Sequence, residues 1–415
     1  MRVRHLTKSL SRWASSNGRP HNPQKGDKVV VGMSGGVDSS VTAALLAEKD
    51  FDLSAVFMRN WDTRDETGQD RGCEWEKDWE DVQRVCRKLD IPCQLVSLFS
   101  PSHKPALDSF FDQIDLTKEF WNNVFQPALH LWETGATPNP DVWCNREIKF
   151  GALLNQLPVT SSGETWLATG HYARKMWADT SEGLSRPQLF CAVNSHKDQS
   201  YYLSSISESS LRRTIFPLGY LEKPEVRELA KKYELHNADR DESMGICFVG
   251  QKSRFNQFLG SYLPPKPGPI VNKTTGKVVA QHNGIWSYTI GEGARLAGAP
   301  ERLFVSGKDP ATNTIYVVPG THNPMLNCHS LHVPKFHWIW KDSPPPEIDS
   351  ADGFRAFVRH RYRMASEVCR VYRLPDSGHI RIDFDKAGKS ASPGQVAAVY
   401  DGSWCLGCGI IERTS

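Results

Sequence analysis

The sequence predicts an α/β fold, a doubly wound parallel sheet followed by a β-rich remainder, and three observations carry that expectation. A buried-strand run, "KVVVGM" at 28 to 33, is followed by the helix-forming "SSVTAALLAEK" and a second apolar run, "LSAVFM", which is the order of a βαβ unit. Two glycines and a cluster of serines separate the first strand from the first helix. After the breaker cluster "PPKPGP" at 264 to 269, helical periodicity gives way to short strands.

Each element follows from its own pattern. A βαβ order demands a parallel sheet. In "EWEKDWEDVQRVCRKL", residues 74 to 89, Trp75, Trp79, Val82, Val85, Cys86 and Leu89 recur on one helical face. "WLATGH" at 166 to 171 reads as a later strand. Beyond residue 264, "GIWSYTI" and "TIYVVPG" read as strands, and "KDSPPPEIDS" at 341 to 350 as a second connection. In "FRAFVRHRYR", Phe354, Ala356, Val358, His360 and Tyr362 alternate with Arg355, Phe357, Arg359, Arg361 and Arg363, so a strand there has one apolar and one basic face.

Bulk composition excludes little. With 50 Lys and Arg against 47 Asp and Glu, the net charge is +3, and any nucleic-acid contact must come from local basic patches. Ten scattered cysteines lack the dense spacing of a secreted disulfide scaffold and favour a reducing compartment. No apolar run is long enough for a transmembrane helix, so membrane insertion is not expected. From Met1 to Gly26 there is no acidic residue, while Arg2, Arg4, Lys8, Arg12, Arg19 and Lys25 are basic and Leu6, Leu10 and Trp13 recur at helical spacing. This reads as a mitochondrial transit peptide, with a basic RNA-binding arm as the alternative.

The loop "VVVGMSGGVDSS", residues 29 to 40, is the first chemical signal. A loop entering the first helix of such a sheet meets unpaired backbone N–H groups and the positive end of the helix dipole, which attract phosphate. Gly35 and Gly36 permit close approach, and Ser34, Ser39 and Ser40 add hydroxyls. The common lysine-bearing loop, G-x-x-x-x-G-K-[ST], is absent. The stretch instead resembles the S-G-G-x-D-S loop of the PP-loop ATP pyrophosphatases, which cleave ATP between its α and β phosphates. That resemblance implies ATP held by Gly32, Met33, Ser34, Gly35, Gly36, Val37, Asp38 and Ser39, with Asp38 near Mg²⁺ and with Met58 and Gly170 bordering the adenine nucleotide.

"TGATPNPDVWCNREIKFG" at 134 to 151 and "DESMGICFVG" at 241 to 250 each hold one cysteine beside turn signals. With "ATGHYAR", "HKDQSYYL", "SPGQVAAVYDG" and "CLGCGII", they resemble the tRNA-specific 2-thiouridylases, in the mitochondrial branch once the leader is considered. The resemblance implies a PP-loop catalytic domain over 27 to 250 after a leader of 1 to 26, a central adaptor over 251 to 330 and a tRNA-contacting C-terminal β-barrel over 331 to 415.

The implied chemistry replaces the C2 oxygen of the anticodon wobble uridine by sulfur. Adenylation makes that oxygen a leaving group, and a cysteine persulfide supplies the nucleophile. The resemblance assigns the persulfide to Cys247, its thiol partner to Cys144 and an acid or base to Asp141, with Lys149 as a cation that favours thiolate. It also implies that Asn139, Pro140 and Asp141 meet the target base. His171, Lys197, Asp198 and Gln199 would position the tRNA, and Arg361, Tyr362 and Gln395 would touch the anticodon arm. The implied partners are tRNA and a sulfur-carrier protein or cysteine desulfurase.

Three alternatives stay open on the residues: an iron–sulfur cluster on Cys144, Cys247 and a third ligand, a PP-loop amide synthase or amidotransferase, and a non-catalytic tRNA-binding scaffold. Cys73, Cys86, Cys93, Cys191, Cys328 and Cys369 read as buried bystanders. Cys405 and Cys408 read as opposed faces of one strand. One departure stands out: Glu292, Gly293, Ala294 and Arg295 replace the glutamine, arginine, lysine and glycine usual in the family, which removes a basic run expected to contact tRNA.

Overall fold

The computed structural model describes residues 22–59, 74–97, 114–160, 163–180, 183–241, 245–246, 250–251, 255–296 and 301–415. Most of the basic leader, Cys73 and Cys247 lie outside the described residues. The chain forms two compact units: Met1–Phe120 with Arg146–Ser200 and Ile206–Gly250, and Trp121–Asn145 with Tyr201–Ser205 and Gln251–Ser415.

The first unit carries a six-stranded sheet. In chain order its strands are β1 (Lys28–Met33), β2 (Asp52–Arg59), β3 (Cys93–Ser97), β4 (Ile114–Asp115), β5 (Trp166–Thr169) and β8 (Thr214–Ile215); β6 (Ala173–Asp179) and β7 (Ser185–Cys191) pair antiparallel with each other. The spatial order is β8-β5-β1-β2-β3-β4 with every described pairing parallel. Val29 and Val31 point to one face and Val30 to the other, and all three are buried, as a sheet covered on both sides requires. Helices α1 (Val37–Ala47), α2 (Glu74–Leu89) and α3 (Lys223–Lys232) close one core through Val41, Leu45, Val82, Val85, Val226 and Leu229. On α2, Trp75, Trp79 and Leu89 pack against that core beside buried Val82, Val85 and Cys86, so the expected stripe is the buried one.

The strand order reverses beside β1. The chain lays β2, β3 and β4 to one side and then returns to place β5 on the other. The crevice beyond the carboxyl ends of β1 and β5 is therefore the topological switch point, where open α/β sheets bind ligands. Gly32 pairs with Val56 on one side and Thr169 on the other, so the glycine loop and Gly170 both emerge there.

The second unit contains two β structures. β9 (Gly268–Asn272), β10 (Val278–His282), β11 (Leu303–Asp309) and β12 (Thr314–Pro319) form a sheet in the order β10-β9-β12-β11 around Ile270, Val305, Ile315 and Val317. "TIYVVPG" is β12, but "GIWSYTI" is a 3-10 turn over Ile285–Ser287 followed by extended chain. Its aromatic and β-branched content suits a strand, yet no partner strand pairs with it among the described residues.

The C-terminal structure is antiparallel. Its strands are β13 (Asn327–Val333), β14 (Phe336–Trp338), β15 (Phe354–Arg359), β16 (Glu367–Arg373), β17 (Ile380–Lys389), β18 (Val396–Asp401), β19 (Trp404–Ile410) and β20 (Arg413–Thr414). The sheet runs β13-β17-β16-β15-β18-β19, and β14, which follows β13 directly, pairs with β19 and links the two ends. Ala356, Val358, Cys369, Val371, Ile382 and Val399 fill the interior.

Two expectations about strand faces change here. β15 ends at Arg359, so Arg361, Tyr362 and Arg363 leave the strand through a bend and do not continue its basic face. Arg363 adopts φ +64, which a strand cannot. In β19 a register shift sets Cys405 opposite Tyr400 and Cys408 opposite Ala398, so a bulge brings the two cysteines to one face rather than opposed faces. Among the expected bystanders, Cys86, Cys191, Cys328 and Cys369 are buried. Cys93 is half-buried, and a hydrogen bond with Cys86 holds its thiol down at about 7.

Candidate active site

The glycine loop connects β1 directly to α1. Gly35 has φ +75, and a β-carbon there would lie 2.8 Å from the backbone oxygen of Asp78 on α2, so only glycine fits. Gly36 is the N-cap of α1 and supplies no side-chain cap. The hydroxyls of Ser39 and Ser40 donate inward to the Gly36 carbonyl at 3.1 and 3.0 Å, and Ser39 Oγ accepts from Ser34 N at 3.1 Å. The first N–H groups of a helix have no intrahelical partner and suit a phosphate. This arrangement fits the terminal phosphates of a nucleotide.

Residues distant in sequence hold the loop in shape. Asn237 Nδ2 donates to Gly35 O at 2.8 Å and to Ser40 Oγ at 3.0 Å. Arg240 donates to Gly35 O at 3.2 Å and pairs with Asp78 and Asp81 on α2. Lys223 Nζ lies 2.6 Å from Asp38 Oδ1, and the Tyr172 hydroxyl donates to the same oxygen at 2.8 Å. Sequence reasoning passed over all three of these basic or amide residues. One signal was present, because Lys223 opens α3, where the helix dipole disfavours a cation.

The other loop residues gather at the same sheet edge. Gly170 follows β5, and a β-carbon on it would sit 2.9 Å from Ser39 N. Met58 is half-buried near the carboxyl end of β2. His171 is half-buried between the rings of Phe150 and Phe216, with Nδ1 2.8 Å from Thr169 Oγ1. Burial, helped by the nearby Lys149 charge, lowers its pKa to about 3, so the ring is neutral at physiological pH. Asp198 is 5% exposed, and its carboxylate accepts from Ala192 N, Ser200 N and Ser200 Oγ. Gln199 Oε1 accepts from Tyr172 N at 3.0 Å, and Lys197 is half-buried. Asp198 and Gln199 thus hold a turn against Tyr172.

Asn139 stands at the N-cap position of the short helix Pro140–Trp143, without a side-chain capping bond, and Cys144 opens a π-helix over Cys144–Leu153. The cysteine flanked by turn signals is therefore helical, and its N–H bonds to the carbonyls of Pro140 and Asp141. π-Helical turns are rare and concentrate at functional sites. Cys144 is 3% exposed. Tyr202 lies beside Asp141 and stacks on Tyr362 at 4.4 Å between centroids; burial, with the Asp141 charge second, raises its phenol pKa.

The C-terminal turn grips the segment that leads into Asn139. Gln395 Nε2 donates to Thr137 O at 2.8 Å, Thr137 N donates to Pro393 O at 2.8 Å, and Lys308 Nζ reaches Thr137 Oγ1 at 3.3 Å. Arg361 is turned inward, donating to the carbonyls of Ile290 and Ser390. Glu292, the departure noted in the sequence, acts electrostatically on Lys308 and Arg361, so it serves this internal network. Among the described residues no three His, Cys, Asp or Glu side chains gather as a metal site.

Profiles described as a tRNA methyl transferase HUP domain, a tRNA methyl transferase PRC-barrel domain and an aminomethyltransferase β-barrel domain match residues 27–113 with 103–251, 256–319 and 328–411. A tRNA-specific 2-thiouridylase of Bacillus subtilis is 38% identical over 387 residues, covering 93% of this chain and 95% of its own. One from Paraburkholderia xenovorans is 40% identical over 393 residues, covering 93% and 94%. The mitochondrial tRNA-specific 2-thiouridylase 1 of Gallus gallus is 38% identical over 415 residues, covering 94% and 92%. Although the profile names speak of methyl transfer, the end-to-end relatives are thiouridylases, and the chain belongs to the tRNA-specific 2-thiouridylase family.

Proposed function

We propose that this enzyme thiolates a tRNA uridine at C2, at the wobble position of the anticodon, using ATP and a cysteine persulfide. The observation that carries the reading is the Gly35–Gly36 loop at the sheet's switch point, capped by no side chain, in a chain that matches thiouridylases over 93% of its length. Such a loop takes pyrophosphate as the leaving group when the uracil O2 attacks the α phosphorus. The ATP residues are Gly32, Met33, Ser34, Gly35, Gly36, Val37, Asp38 and Ser39, with Met58 and Gly170 at the adenosine side. Mg²⁺, held by Asp38, would screen the phosphate charge.

Sulfur then enters at C2. The terminal sulfur of a Cys247 persulfide attacks the activated carbon and AMP departs with the original oxygen. Cys144 attacks Cys247 Sγ, breaking the bond to the transferred sulfur, which leaves as the thiocarbonyl of the product; the resulting Cys144–Cys247 disulfide takes two electrons from an external thiol. Asp141 handles the proton at the base. A C2 carbonyl is inaccessible in a stacked duplex, so the base is turned out of a loop, beside Asn139, Pro140 and the half-buried Tyr362. His171, Lys197, Asp198, Gln199, Arg361 and Gln395 support tRNA placement, several of them through the internal bonds described above.

A sulfur carrier or desulfurase charges Cys247. The acid-free leader and the avian mitochondrial relative support a mitochondrial matrix location. No helix among the described residues is long and apolar enough to cross a membrane.

The test is direct. Purified protein is incubated with ATP, a persulfide donor and an anticodon stem-loop RNA, and the RNA is weighed by mass spectrometry. Wild type produces the sulfur-for-oxygen increase, whereas Cys144→Ser and Cys247→Ser do not; full activity in both variants removes the two-thiol route.

A further inference from the structure

The glycine loop has no lysine of its own, yet an ammonium is delivered to it from 185 residues away. Lys223 is the first residue of α3, whose N-terminus is fixed by a reciprocal capping box between Glu222 and Glu225. Its Nζ rests 2.6 Å from Oδ1 of Asp38, in the first turn of α1, and 5.9 Å from the centre of the Tyr172 ring. The Lys223 side chain is only 12% exposed. A cation at a helix N-terminus opposes the dipole, and one so nearly buried loses hydration, costs that the Asp38 carboxylate and the Tyr172 ring offset at this one place beside the loop.

We propose that Lys223 is the phosphate-binding cation of this loop, acting on the pyrophosphate leaving group. This rests on the reading above that the loop takes ATP. In the free protein Asp38 holds the ammonium at the first turn of α1. When a triphosphate enters, the flexible lysine stem transfers the ammonium from Asp38 to the β and γ phosphate oxygens, which releases the Asp38 carboxylate for the divalent cation. As uracil O2 bonds to the α phosphorus, the bond from that phosphorus to the bridging oxygen breaks and its electron pair stays on pyrophosphate. Lys223 remains protonated throughout and stabilises the charge that develops there.

The full-length protein is titrated calorimetrically with magnesium pyrophosphate and, separately, with AMP, for wild type, Lys223→Met, Lys223→Gln and Lys223→Arg. The glutamine variant keeps a hydrogen-bond donor for Asp38 while removing the charge, so it serves if the methionine variant fails to fold. The expected result is a loss of at least about tenfold in pyrophosphate affinity for the two neutral variants, unchanged AMP affinity, and recovery in the arginine variant. Pyrophosphate affinity equal to wild type in the neutral variants overturns the proposal, as does an equal loss for AMP and pyrophosphate, which marks a purely structural ion pair. A wild-type protein that binds no pyrophosphate overturns the ATP reading itself, and so separates the two failures.

Discussion

Gly170 faces the backbone of Ser39 so closely that a β-carbon on it would lie 2.9 Å from the Ser39 nitrogen and 3.0 Å from the Asp38 carbonyl carbon. Both neighbours are main-chain atoms in the first turn of α1, so neither can swing aside as a long side chain would. Gly170→Ala must displace the glycine loop that the proposed function assigns to the phosphates of ATP. The expected cost is about 1–3 kcal/mol of stability together with a loss of at least about tenfold in ATP affinity. Titration with a fluorescent ATP analogue checks it, and wild-type affinity in the variant rejects the close-approach account.

Gln395 tests whether the C-terminal turn acts on RNA or on the segment that leads into Asn139. Its amide donates to Thr137 O, two residues before Asn139. Removing one such bond costs about 1 kcal/mol. Gln395→Ala should therefore lower kcat of thiolation while leaving KM for the stem-loop RNA nearly unchanged. A raised KM with unchanged kcat identifies a direct RNA contact instead.

Arg361 offers a parallel discrimination through salt. Its guanidinium donates to two carbonyls, Ile290 and Ser390, and Gly291 approaches Ser390 so closely that a β-carbon would lie 2.4 Å from Ser390 Cβ. Lysine cannot span two acceptors with the same planar geometry. Arg361→Lys is expected to destabilise the fold by about 1–3 kcal/mol and to leave the salt dependence of tRNA binding unchanged. If Arg361 instead contacts phosphate, Arg361→Ala reduces the slope of log K against log salt by about 1.

The sequence made the parallel sheet legible because its signals are local. The apolar run of β1, the glycine turn and the α2 stripe each lie within one element, and Val82, Val85 and Cys86 are buried as their spacing requires. The loop's supports were not legible, because Asn237 and Arg240 reach Gly35 from more than 200 residues away and no periodicity encodes that approach. "GIWSYTI" misled for a related reason: strand composition needs a partner strand to become a strand. "FRAFVRHRYR" was right for β15 as far as Arg359, where the chain bends and Arg361 turns inward. Cys144 is proposed from its motif, and the π-helical turn that holds it has no signature in residue type.

The half-buried imidazole of His171 predicts a pH dependence whose sign is fixed. Its folded pKa, lowered to about 3 by burial and then by Lys149, lies below the ordinary 6.5 of the unfolded chain. Above 6.5 the ring is neutral in both states, and its contribution to stability is fully present. As pH falls from 6.5 toward 3 the unfolded chain takes up a proton that the folded protein does not, so stability declines across that window. His171→Gln cannot titrate, and its thermal midpoint should fall less steeply than that of wild type between about pH 6.5 and 4. Parallel slopes for the two proteins would show that His171 titrates normally in the folded state, and the neutral-ring assignment at the edge of the nucleotide loop would then be wrong.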